Sequence, residues 1–91
     1  MKKAVRLYIN GTVQGIFFRN FIKENADRNN VRGFTRNLDD GRVEIFLEGN
    51  IKDVERVMNI CYKGPKHAQI KGVETKEEKF QGLKDFKVLH I

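Results

Sequence analysis

Ninety-one residues leave room for one small core, and 40% hydrophobic content with seven Phe is enough to fill it. Eighteen Lys and Arg against twelve Asp and Glu give a net charge of +6, which favours anionic partners such as phosphorylated metabolites, nucleic acid or an acidic surface. The chain has no Ser, two His and one Cys, so a Ser–His–Asp triad is excluded and a Cys/His zinc site lacks ligands.

Val5, Leu7 and Ile9 alternate with Arg6, Tyr8 and Asn10, the period of a half-buried strand, which stops at Gly11. From Phe17 or Phe18 the period lengthens: Phe18, Phe21, Ile22 and Ala26 share one helical stripe that ends at Asn29-Asn30. A second strand runs from Val31 to Leu38, and Asp39-Asp40-Gly41 supplies a hairpin turn. Val43, Ile45 and Leu47 form a third strand up to Gly49-Asn50. Ile51, Val54, Val57, Met58 and Cys61 repeat at helical spacing until Lys63-Gly64-Pro65. A fourth strand is expected over Ala68–Lys79 with a bulge near Gly72, and a short last strand over Phe86–Ile91. The order βαββαβ plus one strand predicts a ferredoxin-like α+β fold, one domain over 1–91, with two helices on one face of an antiparallel sheet.

No 18-residue apolar stretch occurs, and the basic N-terminus is interrupted at once by Arg6 and Asn10, so neither a membrane span nor a signal peptide is expected. The single Cys forms no intramolecular disulfide, and a cytoplasmic, monomeric protein is the expectation.

Two segments carry candidate chemistry. The turn Gly11-Thr12-Val13-Gln14-Gly15-Ile16-Phe17-Phe18-Arg19 leads from a strand into a helix whose first amides lack internal partners and carry the positive end of its dipole. Such a loop wraps N–H groups round a phosphate, although two glycines also make an ordinary connector. Arg19 opposes the helix dipole, a conflict that a bound anion relieves. Asn37, near the end of the second strand, is the other candidate, against the plain alternative of a turn-flanking Asn. Asp39 and Asp40 read as turn residues, His67 as a surface loop residue, and Cys61 as buried packing.

Together the two segments resemble the acylphosphatase family. Residues Gly11 to Arg19 are similar to its signature G-x-V-Q-G-V-x-F-R, with Ile16 for the second Val. Residues Gly33 to Val43 are similar to G-W/Y-V-x-N-x-x-D-G-x-V, with Phe34 for the larger aromatic and Thr35 for Val. Gly64-Pro65 after the second helix fits the same pattern.

The resemblance implies metal- and cofactor-independent hydrolysis of the carboxyl-phosphate bond of small acyl phosphates. It implies that Arg19 and the amides of Gln14, Gly15, Ile16, Phe17, Phe18 and Arg19 hold the phosphoryl oxygens, and that Asn37 orients the attacking water. Inorganic phosphate or sulfate is then a competing anion. The residue inventory is compatible with this, because a carboxylate leaves without a general acid. An RNA-binding module has the same βαββαβ order, with Tyr8 and Phe46 on the open sheet face. Arg32-Gly33-Phe34 opens like its signature, but Thr35-Arg36-Asn37 breaks it, and specific nucleic-acid binding is not expected.

Overall fold

A computed structural model describes residues 1–13 and 16–89. The elements are β1 (Lys2–Gly11), α1 (Ile16–Arg28), β2 (Arg32–Asn37), β3 (Val43–Asn50), α2 (Ile51–Lys63), β4 (Ile70–Glu77) and β5 (Phe86–Val88). Gln14 and Gly15, expected in the anion loop, and His90 and Ile91, expected at the end of the last strand, lie outside the described residues.

Local chemistry sets the helix ends. The Asn50 side chain caps α2 by accepting from the Lys52 amide (3.1 Å), and at the other end the Gly64 amide donates to the Ile60 carbonyl. After α1, Asn30 takes the left-handed conformation at φ 57°, as the Asn-Asn pair predicts.

The sheet order is β4-β1-β3-β2-β5. Four strands pair antiparallel, as expected, but β5 runs parallel to β2, with Gly33, Phe34 and Thr35 opposite Phe86, Lys87 and Val88. The sheet is therefore mixed. The reason is directional: β4 finishes at the end of the sheet where β2 begins, so a chain crossing to the far edge re-enters alongside β2. The irregularity expected near Gly72 falls on the opposing strand, between Asn10 and Gly11.

Val5, Leu7, Ile9, Val43, Ile45 and Leu47 turn one sheet face into an apolar floor, on which Phe18, Ile22 and Ala26 of α1 and Val54, Val57 and Cys61 of α2 pack. Each fully buried side chain of this size contributes about 1.5–3 kcal/mol of transfer free energy.

The opposite face is covered by side chains and by the 78–85 crossover. Phe34 and Phe46 stack at 5.6 Å, and the Arg6 guanidinium lies over both rings. Phe46 is wholly buried, so its ring offers no stacking surface of the kind an RNA platform uses. Glu48, also buried, accepts hydrogen bonds from the Gln81 and Leu83 amides and so straps the crossover down.

Buried Glu44 accepts from Arg6 (2.7 Å) and Arg36. Burial alone would raise its pKa, but the two guanidinium groups outweigh that and hold the carboxyl below the usual range. A carboxyl depressed in the folded state lends stability that is complete above its unfolded-chain value of about 4.3 and is lost as pH falls through the lower folded value. Glu44→Gln should cost about 1–3 kcal/mol at pH 7, since it leaves two guanidinium groups without their shared charge. Urea unfolding at pH 7 and pH 3 checks this: the gap between wild type and variant should narrow sharply at pH 3.

Candidate functional site

The strand registers gather the candidate residues at one end of the sheet. Ile9, Val43 and Asn37 form one row across β1, β3 and β2, and Leu7, Ile45, Thr35 and Val88 form the row before it. Cross-strand neighbours in a row project to the same face. Asn37 and Thr35 therefore share the face of Ile9 and Ile45, which is the face that carries α1 and α2. At this same end β1 closes at Gly11 and α1 begins at Ile16. The amides of Ile16, Phe17 and Phe18 stand in its first turn, where no carbonyl one turn earlier exists to receive them, and Arg19 follows directly. No acidic side chain occupies that turn.

The peptide of Leu89, just beyond β5, joins the two principal candidates. Its N–H donates to the Thr35 carbonyl (2.9 Å), and its carbonyl accepts from the Arg19 guanidinium (3.3 Å). Arg19 is thus drawn toward the strand that carries Asn37, two residues after Thr35. Thr35 Oγ1 and Asn37 Oδ1 are buried polar atoms with no hydrogen-bond partner among the described residues. Buried polar atoms are nearly always satisfied in folded proteins, so partners for these two atoms come from outside the described residues.

On the other flank, the Thr12 amide donates to the Gln69 carbonyl (2.8 Å), fastening the start of the loop to the turn between α2 and β4. Gly11 makes this approach possible. Its φ is +144°, and a Cβ there would meet the Gln69 carbonyl oxygen at 2.0 Å.

The remaining sequence candidates fall elsewhere in role. Asp39 and Asp40 form the β2–β3 turn, where Asp40 accepts from the backbone and guanidinium of Arg42. Cys61 is buried in the core, and burial pushes its thiol up to about 12, which keeps it protonated and unreactive at neutral pH. His67 is exposed in the α2–β4 turn. Among the described residues, no three His, Cys, Asp or Glu side chains are grouped to hold a metal ion, and no helix is long and apolar enough to cross a membrane. Sequence reasoning missed Leu89, because its contribution is a backbone amide and carbonyl and leaves no mark in residue type.

This end of the sheet therefore carries a guanidinium, helix-start amides and an uncharged amide side chain, with Asp40 engaged by Arg42 in the turn beyond. The arrangement suits an anion and supplies hydrogen bonds rather than a general base, since an Asn side chain does not take up a proton at neutral pH.

Comparison with known proteins agrees with this chemistry. The acylphosphatase family model matches residues 5–88. An acylphosphatase of Rubrobacter xylanophilus is 48% identical over 88% of this chain and 73% of its own length. One from Syntrophus aciditrophicus is 40% identical over 99% of this chain and 95% of its own. The crystal structure of a Bacillus subtilis acylphosphatase superposes with a TM-score of 0.91 at 28% identity, covering 99% of this chain and all of that one. With a match over nearly its whole length, the chain belongs to the acylphosphatase family and is a hydrolase of acyl phosphates.

Proposed function

We propose that the chain hydrolyses acyl phosphates by attack of water on phosphorus, with Arg19 and the loop amides holding the phosphoryl group and Asn37 placing the water. The observation that carries this reading is the Leu89 peptide, which links Arg19 to β2 beside Asn37 at the start of α1.

The chemistry asks for little else. Water oxygen bonds to phosphorus as the bond from phosphorus to the acyl oxygen breaks, and the carboxylate departs with that electron pair. It is a weak base and leaves without protonation. The water proton passes to phosphate oxygen or solvent. Charge on the equatorial oxygens is met by the forked guanidinium and by the N–H groups of Gln14, Gly15, Ile16, Phe17, Phe18 and Arg19. The Asn37 side chain holds the water in line with the bond that breaks.

Inorganic phosphate and sulfate, which share the tetrahedral oxyanion, compete for the same donors. Residues 1–91 work in this reading as one domain, a monomer in the cytoplasm, where a reducing environment suits the lone buried Cys61.

Two substitutions separate the roles. Arg19→Lys keeps the charge but loses the planar fork, so it should weaken phosphate inhibition by about 10-fold or more and slow turnover. Asn37→Ala should leave phosphate inhibition within a few-fold while turnover falls by about 10²–10³. Steady-state kinetics with phosphate as inhibitor checks both, and near wild-type turnover in Asn37→Ala would refute the water-placing role.

Because the charge is carried by Arg19 and backbone amides, hydrolysis should persist at full rate in excess EDTA. Activity abolished by the chelator and restored by Mg²⁺ contradicts the mechanism.

A further inference from the structure

Beside the start of α1 lies a cavity of about 540 Å³. Phe17 and Phe18 line one side, and Pro65, Lys66, His67 and Ala68 of the α2–β4 turn line the other, a lining that is mainly apolar. The hydrogen bond from Thr12 to Gln69 holds the two sides together. Phe17 is 88% exposed, although it sits in the first turn of a helix beside the amides proposed to grip phosphate. A large apolar side chain left in water at such a place calls for an apolar contact.

The direction of the reaction says what that contact is. In an in-line displacement the leaving oxygen lies across phosphorus from the attacking water. Water held by Asn37 stands on the β2 side. In the order β4-β1-β3-β2-β5, the opposite direction leads toward β1, β4 and the turn that precedes β4. An acyl group that extends that way meets the cavity.

We propose that this cavity is the acyl-group subsite, and that Phe17 gives the enzyme a preference for acyl phosphates with an apolar, ring-sized body. The proposal rests on the reading that Asn37 places the water. Phosphate-end contacts are the same for every acyl phosphate, so discrimination in binding between acyl groups comes from a surface outside the phosphate grip.

The test compares kcat/KM for benzoyl phosphate and acetyl phosphate in wild type, Phe17→Ala and Phe17→Tyr. The ratio of the two substrates cancels any change in the phosphate grip, and an exposed ring is replaced without disturbing the core. Wild type should favour benzoyl phosphate, Phe17→Ala should lower the ratio by about 5-fold, and Phe17→Tyr should retain it. A ratio unchanged in Phe17→Ala, or a loss shared equally by both substrates, overturns the subsite and leaves the hydrolytic mechanism standing. Wild type that favours acetyl phosphate also overturns it. Wild type that hydrolyses neither substrate overturns the subsite and the proposed function together.

Discussion

The arrangement of the site depends on one peptide. Leu89 donates its N–H to Thr35 and accepts the Arg19 guanidinium on its carbonyl, so a helix side chain and a strand are brought to a common reference. Arg and Asn side chains lie 18 positions apart in the chain and on different elements. The Leu89 peptide lies between them and restrains the rotamer freedom of a long Arg side chain. Both of its contacts are made by backbone atoms rather than by the Leu89 side chain.

Delivering that peptide explains features of the fold that look remote from the site. β4 lies at one edge of the sheet and β5 at the other, so residues 78–85 have to cross the face away from the helices. The buried Glu48 carboxylate holds the crossing backbone at Gln81 and Leu83, while Arg6 reaches from β1 to Glu78 and Glu44. This face is thus committed to a charged, hydrogen-bonded strap, and its aromatic pair lies beneath Arg6, Phe46 buried and Phe34 half-buried. A ferredoxin-like sheet whose open face is occupied this way directs its chemistry to the strand ends, where the α1 dipole and the end of β2 meet.

The repeating part of the fold was legible in the sequence. Alternation at Val5, Leu7 and Ile9, the stripe of Phe18, Ile22 and Ala26, and the Asp-Gly turn each follow from a periodicity or a local conformational preference, and each is found where expected. Arg19 and Asn37 stood out because each is out of place by local rules, a cation at a helix start and an Asn in a strand. The parallel partnership of β5 was not legible, since a three-residue strand carries no sign of direction and its neighbour is chosen by the path of the crossover. Glu48 gave no signal either: in an alternating strand it reads as a solvated position, and only the chain laid across it buries it. The exposed Phe17 was assigned through its amide alone, because periodicity does not say which way the first residues of a helix project.

Isotope labelling shows most directly which atom the water attacks. Acyl phosphate hydrolysed by the enzyme in ¹⁸O-enriched water should carry the label in inorganic phosphate, because the oxygen joins phosphorus while the acyl oxygen stays with the carboxylate. Label recovered in the carboxylate would mean attack at the carbonyl carbon, and would contradict a site built by Arg19, Asn37 and the α1 amides around a phosphoryl group.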